Sequence, residues 1–398
     1  MQKNLSSNSL NNHSETNHYN IKILDNITSK KSRVKFLKYR NTSEYYGDYY
    51  SSDEETDVSE PIENNLPKLD LTEVARKIKK LDQLIALCEM PLSRFNPCNR
   101  DDLIRLKKIK QPLEDLNKLI GMKDLKRKII YQALYYCQDL HKIKPPSGFD
   151  DEGDLMHTVI QGPPGSGKTT VAHIIGKIYL RLGVLKSDKF ITAKSKDLIG
   201  EYLGQTAPKT TKVLESALNG VLFIDEAYSL GNEDKRNIYS KECMDTINQF
   251  LTEHKRDIVV IIAGYKDDLK VCFFGINQGL ERRFPWVYNI DDYDYEELRK
   301  ILIKQIKESG WEFAGSHEEV IPLNFMKEHN KYFAFGGGDT ETFLKKCKLA
   351  HSQNTFGLPP EKKGKLTYND ILSGLEMHKD TKDNQMIVEK PPPPGMYI

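Results

Sequence analysis

From residue 116 to about residue 290, short apolar runs alternate with longer stretches in which apolar residues recur at helical spacing. Runs of this length that are rich in β-branched residues are typical of buried strands. Apolar strands separated by helices form parallel sheets that are covered on both faces. The pattern therefore predicts a three-layer α/β domain over residues 116–290. Its expected strands are residues 157–161, 190–193, 221–224, 258–263 and 287–290.

After residue 291 the β-branched runs stop, and helical patterns begin near Tyr295, Pro322, Asp339 and Tyr368. This predicts a small all-α domain over residues 291–378. Residues 379–398 contain four consecutive prolines and cannot build a core. We expect a plain tail there, with a ligand for a proline-binding module as the alternative.

The pattern before residue 116 divides into two parts. Residues 1–66 are polar, with an acidic stretch, and are predicted to be disordered. Residues 67–115 are predicted to be a helical extension. Near its start, Asp70 and Glu73 predict a capping box for one helix that ends at Pro91. We expect the apolar face of this helix to pack on the following domain, and a coiled-coil partner is the alternative.

Composition excludes several classes of protein. The 398 residues carry 59 basic and 57 acidic side chains, so no chain-wide field attracts nucleic acid or anionic lipid. The six cysteines lack the paired spacing of a zinc or redox site. Met1 is followed by polar residues and no stretch reaches the apolar length of a membrane span, so we expect neither a secretory signal nor a spanning segment. These features predict a soluble intracellular protein, in the cytoplasm or, if the sequence is viral, in the host cytoplasm or the virion, with no membrane partner.

Residues 162–169 read Gly-Pro-Pro-Gly-Ser-Gly-Lys-Thr, which fits the phosphate-binding loop between a strand and a helix. The glycines let backbone N–H groups turn towards phosphate, and the helix dipole favours the anion. Lys168 would reach the β- and γ-phosphates, and Thr169 would ligate Mg²⁺. A chance glycine turn is the alternative. The residues expected to bind nucleotide are Gly162, Pro163, Pro164, Gly165, Ser166, Gly167, Lys168, Thr169 and Thr170.

The predicted strand at residues 221–224 ends in two carboxylates, Asp225 and Glu226. Asp225 would bind nucleotide-associated Mg²⁺, and Glu226 would polarise the attacking water as general base. Paired acids after a buried strand can instead cap a helix. Together with the loop, they predict ATP and Mg²⁺ as cofactors and an ATPase as the enzyme.

These residues resemble the AAA+ ATPases, and within them the CbxX/CfqX group, which includes red-type Rubisco activase and the sporulation protein K type. The similarity is carried by residues 116–121, 204–210, 220–230, 263–265 and 283–285. It covers residues 116 to about 378 and leaves out the N-terminal segment and the proline tail. The resemblance implies a P-loop NTPase domain followed by a helical lid, and a homo-oligomeric ring, expected to be a hexamer.

The resemblance also assigns residues. Ile120 and Gly121 would line the adenine pocket, and Tyr202 would lie on a pore loop that grips a polypeptide. An ordinary surface turn is the alternative for Tyr202. Arg283, or else Arg282, would act as the arginine finger that completes a neighbouring subunit's site. A loop held by Glu281 is the alternative for this arginine pair.

Two positions depart from the wider pattern. Tyr265 stands where AAA+ proteins commonly have an Asn sensor, and its hydroxyl could donate or its ring could simply pack. Residues 336–339 read Gly-Gly-Gly-Asp in place of the Gly-Asn-Ala-Arg of the group, so the lid arginine is missing. We expect Asp339 to cap the helix through Phe343. The missing arginine bears on the rate of ATP turnover and on coupling to the lid, and not on nucleotide binding.

Three functions are consistent with these residues. The first is a ring ATPase that remodels or threads a protein partner. The second is an ATP-binding switch or scaffold with little turnover, suggested by the missing lid arginine. The third is a nucleic-acid loader or motor, against which the near-neutral charge and the aromatic residue of the pore loop argue.

Overall fold

The computed structural model of the protein describes residues 68–143, 154–231, 238–359 and 363–388. The predictions for residues 1–66 and for residues 389–398 of the tail lie outside these ranges. Residues 379–388, which were predicted as plain tail, instead continue the last helix. The described residues fall into two units. One comprises those within Met1–Lys118, Lys126–Gly153 and Lys177–Val184, and the other comprises those within Leu119–Leu125, Asp154–Gly176 and Leu185–Ile398. Within the described ranges, no helix is long and apolar enough to cross a membrane.

The first unit is helical, and its N-terminal part differs from the prediction. Two helices replace the single expected helix, because Ile78 and Lys80 have extended backbones and the Gln83 side chain accepts the N–H groups of Lys79 and Lys80. Asp70 caps the first helix by accepting from the Thr72 N–H. The helices are α1 (Leu71–Lys77), α2 (Leu81–Glu89), α3 (Arg100–Lys108), α4 (Lys110–Lys118) and α5 (Lys123–Cys137), the last starting in the second unit.

The second unit contains a five-stranded parallel sheet with the strand order β2-β3-β4-β1-β5. Every expected strand is found within one residue of its expected ends, so the predicted α/β sheet is confirmed. The strands are β1 (Thr158–Gln161), β2 (Phe190–Ala193), β3 (Val221–Ile224), β4 (Val259–Gly264) and β5 (Trp286–Asn289).

Helices connect these strands, as parallel pairing requires. They are α6 (Lys168–Arg181, whose last five residues belong to the first unit), α7 (Ser195–Leu198), α8 (Thr206–Ser216), α9 (Ile238–Glu253), α10 (Lys266–Asp268, continued by a π-helix at Leu269–Phe274) and α11 (Gln278–Glu281). The strands β3 and β4 are buried along their whole length. Because β1 lies between β4 and β5, the carboxyl ends of the central strands form the crevice where ligands bind in such sheets.

The C-terminal part of the second unit is mainly helical, as predicted. Its helices are α12 (Tyr295–Glu308), α13 (His317–Val320), α14 (Leu323–Glu328), α15 (Gly336–Thr355) and α16 (Tyr368–Val388). The expectation of a purely α-helical domain is corrected by a parallel pair, β6 (Glu312–Phe313) and β7 (Lys365–Leu366). Strands of two residues are too short to show an alternating apolar pattern. We call this part, residues 293–388, the lid.

Helices α15 and α16 pack closely where Gly374 meets Cys347. A Cβ atom on Gly374 would lie 2.6 Å from the Cys347 sulfur and 2.8 Å from its backbone nitrogen. Cys347 is fully buried in the core of the lid. The glycine therefore sets the distance between the two longest helices of the lid.

We predict that Gly374→Ala destabilises the protein, because its methyl group has to displace the backbone of Cys347. Overpacking of this kind costs about 1–3 kcal/mol. Chemical denaturation followed by circular dichroism measures the loss. Gly364→Ala is the matched control, since a Cβ at Gly364 meets nothing within 4 Å. Equal stabilities of the two variants would contradict this packing.

Candidate functional site

The loop between β1 and α6 has the backbone of an anion-binding loop. Gly165 and Gly167 have φ values of +66° and +88°, which residues with a side chain rarely adopt. The Gly167 N–H donates to no protein acceptor in the part of the chain that the structure describes. A phosphate oxygen would satisfy such a group at the start of a helix.

Lys168 is the first residue of α6 and turns back over the loop. Its Nζ donates to the carbonyl oxygens of Gly162 at 3.0 Å and Pro163 at 2.8 Å. Burial lowers the pKa of this ammonium group, and the carboxylates of Asp225 and Glu226 oppose the shift. The positive charge is therefore held at the mouth of the loop, beside two negative charges.

The predicted metal ligands meet where α6 begins and β3 ends. The Thr169 hydroxyl donates to a carboxylate oxygen of Asp225 at 2.9 Å. A hydroxyl and one carboxylate, completed by phosphate oxygens and water, are the ligands that Mg²⁺ takes in nucleotide sites. The donor set fits this ion. No cluster of three or more His, Cys, Asp or Glu side chains occurs in the described residues, so an all-protein metal cage is not present there.

Glu226 has a strained backbone and an exposed side chain. Its φ of +51° places it in the left-handed region, which is uncommon for a residue other than glycine. Its N–H donates to the other oxygen of Asp225 at 3.0 Å, and its carbonyl accepts from the Ser229 N–H. Strain of this kind clusters at functional sites. Here the turn directs the Glu226 side chain away from the strand while Asp225 stays next to Thr169.

Tyr265, at the end of β4, lies between Lys168 and a second tyrosine. The Lys168 Nζ is 4.8 Å from the centre of the Tyr265 ring, and this ring stacks on Tyr228 with centres 5.1 Å apart. Burial, followed by a hydrogen bond with Tyr265, raises the pKa of the Tyr228 hydroxyl. The Tyr265 ring therefore packs, as one of the two alternatives expected, and a role of its hydroxyl as a sensor stays a prediction.

A cleft of about 520 Å³ adjoins this tyrosine. It opens at the carboxyl ends of β1, β4 and β5. Its walls are residues 161–164, 265–266 and 289–292.

The segment before α5 lies against the loop and the lid. Gly121 has a φ of +70°, and a Cβ there would lie 3.1 Å from the Glu297 carboxylate. The Met122 methyl group would lie 3.4 Å from a Cβ on Gly167. Ile120 is half-buried. The segment that contains the residues expected at the adenine pocket therefore reaches the phosphate loop through Met122, and the roles of Ile120 and Gly121 stay predictions.

The lid touches the loop through backbone and hydroxyl groups. The Gly337 N–H donates to the Gly165 carbonyl at 3.1 Å, and the Tyr293 hydroxyl donates to the Ser166 carbonyl at 2.8 Å. A Cβ on Gly165 would overlap the Phe335 carbonyl. Tyr293 was not predicted as a site residue, because nothing in the sequence pattern indicates a contact across 127 residues.

Asp339, at the position of the missing lid arginine, is 5% exposed and has structural partners. One of its carboxylate oxygens accepts the Phe335 N–H at 2.8 Å, which caps the start of α15. The other lies 2.6 Å from the Lys382 ammonium group. This ammonium also lies over the Phe335 ring, 4.5 Å from its centre. Asp339 thus ties α15 to α16.

The two candidate finger arginines differ in their surroundings. Arg283 donates to the Thr252 hydroxyl and to the Gly279 carbonyl, the latter at 2.7 Å. The Arg282 side chain is exposed and has no partner among the described residues. Neither arginine contacts the phosphate loop of its own chain there.

Tyr202 and Leu203 are 67% and 71% exposed, in a turn before α8. Gly204 follows with a φ of +80°, and a Cβ there would meet no atom within 4 Å. Two adjacent exposed apolar side chains on an open turn are available to a partner. Like the arginines, they make no contact with the phosphate loop among the described residues.

The fold and this site define a P-loop ATPase domain of the AAA type. Residues 158–281 match the model of the family described as "ATPase family associated with various cellular activities (AAA)".

Three relatives extend the similarity beyond this stretch. The cfxQ-like protein R730 of Acanthamoeba polyphaga mimivirus is 38% identical over 74% of this chain and 68% of its own. The CfxQ homolog of Cyanidium caldarium is 33% identical over 67% of this chain and 91% of its own. The chloroplastic ribulose bisphosphate carboxylase/oxygenase activase of Cyanidioschyzon merolae is 33% identical over 67% of this chain and 89% of its own. The chain belongs to the CbxX/CfxQ group of AAA+ ATPases.

We predict that restoring an arginine with Asp339→Arg destabilises the protein instead of creating a sensor. The new charge would face Lys382 in a buried position, and breaking a buried ion pair costs about 3–5 kcal/mol. Thermal unfolding should show a lower Tm. Glu341→Arg is the control, because Glu341 is on the same helix but exposed. An unchanged Tm with faster ATP turnover would contradict this prediction.

Proposed function

We propose that this chain is an ATPase that hydrolyses ATP at sites completed between the subunits of a ring, expected to be hexameric, and that it remodels or threads a protein partner. The observation that carries the proposal is the hydrogen bond from Thr169 to Asp225, with Lys168 and Glu226 beside it. Membership of an ATPase family supports it.

The chemistry follows from the placement of these groups. Backbone N–H groups of the loop and Lys168 would hold the phosphates, and bound Mg²⁺ would neutralise charge on the β- and γ-phosphates. Glu226 would accept a proton from the attacking water as the water oxygen bonds to the γ-phosphorus. The bond from that phosphorus to the bridging oxygen would break, releasing ADP and phosphate.

An arginine from the adjacent subunit would stabilise the charge that develops on the γ-phosphate. We assign this role to Arg283, with Arg282 as the second candidate. The bonds of Arg283 to α9 and α11 fix its guanidinium near the end of a rigid helix. AAA+ proteins generally form rings, which supports a shared site.

The partner is proposed to be a protein. A relative is named as an activase of ribulose bisphosphate carboxylase/oxygenase, so at least one protein of similar sequence is named for an action on another protein. Tyr202 would contact the partner chain, because it is exposed and stands beside Leu203. Nucleic acid is disfavoured by a formal net charge of +2.

We expect ATP hydrolysis per subunit to rise cooperatively with protein concentration and then to saturate. The decisive measurement mixes two variants, Glu226→Gln and Arg283→Ala. Each alone should lose activity by about a hundredfold or more. Together they should regain part of it, because mixed interfaces combine an intact base with an intact arginine. Phosphate release is the readout.

The same mixture with Arg282→Ala in place of Arg283→Ala decides between the two arginines. Only the variant that lacks the true arginine finger should be inactive alone and regain activity when mixed with Glu226→Gln. Full activity of both arginine variants, at every concentration, would contradict shared sites. Binding of ATP without measurable hydrolysis in the wild type, unchanged by Glu226→Gln, would support the switch or scaffold. Turnover that rises with DNA and falls steeply with salt would support the nucleic-acid motor.

We predict that Tyr202→Ala reduces the stimulation of ATP hydrolysis by an unfolded polypeptide, because the aromatic contact is lost. The measurement compares turnover with and without a labelled unfolded protein, and the ratio should fall several-fold. Tyr131→Ala is the matched control, since Tyr131 is similarly exposed at 62% but lies on α5. Equal ratios for Tyr202→Ala and the wild type would rule out threading by this residue.

A further inference from the structure

Tyr293 lies where three parts of the second unit meet. Its hydroxyl donates to the carbonyl of Ser166 in the phosphate loop. Its ring would be 3.2 Å from a Cβ on Gly121, before α5, and 3.0 Å from a Cβ on Gly336, at the start of α15. Because glycine stands at both positions, the ring packs directly against two backbones.

The bond to Ser166 bears on phosphate binding through the geometry of the peptide unit. The Ser166 carbonyl and the Gly167 N–H belong to one planar trans peptide, so they point in opposite directions. A donor that holds the carbonyl on the lid side therefore turns the Gly167 N–H towards the inside of the loop. That N–H has no acceptor in the described part of the protein, as a group awaiting a phosphate oxygen should.

The neighbouring peptide unit is held from the lid in the same way. The Gly165 carbonyl accepts from the Gly337 N–H at 3.1 Å. The opposite end of that unit is the Ser166 N–H, which makes only a long contact of 3.4 Å with the Pro163 carbonyl. Two consecutive N–H groups of the loop are thus oriented by donors of the lid.

The hydroxyl of Tyr293 stays a donor at neutral pH. Burial, and then the nearby carboxylate of Glu297, raise the pKa of Tyr293 to about 12. The hydroxyl does not ionise in the physiological range. Its bond to Ser166 is therefore independent of pH there.

We propose that Tyr293 is a positioning residue for phosphate binding, which holds the Ser166 carbonyl so that the Gly167 N–H faces the β-phosphate. The proposal rests on the proposed binding of ATP and deepens it. At the position of the expected lid arginine this chain has Asp339, which is paired with Lys382. The lid instead acts on the loop itself, and so on a phosphate that ATP and ADP share.

The test is Tyr293→Phe in the full chain, with the affinities for ATP and ADP measured by calorimetry. The ring and its packing remain, and only the hydroxyl is removed. Loss of one hydrogen bond should weaken binding by about three- to tenfold. The factor should be the same for ATP and ADP, because both carry the β-phosphate. The Tm of the nucleotide-free protein should stay within a degree or two of the wild type.

Tyr295→Phe is the matched control, since Tyr295 packs in the lid core two residues away and its hydroxyl has no partner among the described residues. It should bind both nucleotides as the wild type does. Wild-type affinity in Tyr293→Phe would overturn the proposal, and so would a loss confined to ATP, which would make Tyr293 a γ-phosphate sensor. If the wild type itself bound neither nucleotide, the proposed function would have failed instead.

A second variant approaches the same contact from the lid. Gly336→Ala would place a methyl group 3.0 Å from the Tyr293 ring at a φ of +55°. Displacing the ring should weaken ATP and ADP binding by the same factor as Tyr293→Phe or more. Gly310→Ala is the control, because Gly310 has a φ of +74° and nothing within 4 Å. Gly310→Ala has the same kind of backbone strain but no contact with the Tyr293 ring. Equal nucleotide affinities of Gly336→Ala and Gly310→Ala would overturn the proposal.

Discussion

The site depends on keeping two carboxylates and one ammonium group close together at one edge of a buried sheet. Asp225 and Glu226 follow a strand whose residues are all buried, and Lys168 is held opposite them by two backbone carbonyls. Burial lowers the pKa of this ammonium group, and the attraction of the two carboxylates opposes that shift. The Thr169 hydroxyl fixes one carboxylate. Glu226 has a left-handed backbone, and its carboxylate is exposed.

The parts of this arrangement that local sequence determines were predictable. Parallel strands buried on both faces are continuous apolar runs, so β1 to β5 could be placed within one residue of their ends. The loop could be recognised because its conformation requires glycine at Gly165 and Gly167. The assignment of roles to Glu226, Arg283 and Tyr202 remains a prediction, since it concerns a reaction and partners that a single chain does not display.

The parts that were missed depend on contacts between distant residues. Tyr293 meets Ser166 across 127 positions, and no periodicity records such a pairing. The break between α1 and α2 depends on one side chain, Gln83, which competes for two backbone donors. The pair β6–β7 joins segments some fifty residues apart with too few residues for a pattern. Similarly, the anchoring of Arg283 by Thr252 could be read only from the fold.

The backbone contact between lid and loop has a consequence for the energy of lid motion. If the lid separates from the loop, the carbonyls of Gly165 and Ser166 exchange their protein donors for water. Such an exchange costs about 0.5–1.5 kcal/mol per hydrogen bond. Two bonds together amount to about 1–3 kcal/mol, the range of typical coupling energies between sites. The two hydrogen bonds between lid and loop therefore oppose separation of the lid only modestly, because water can replace both donors.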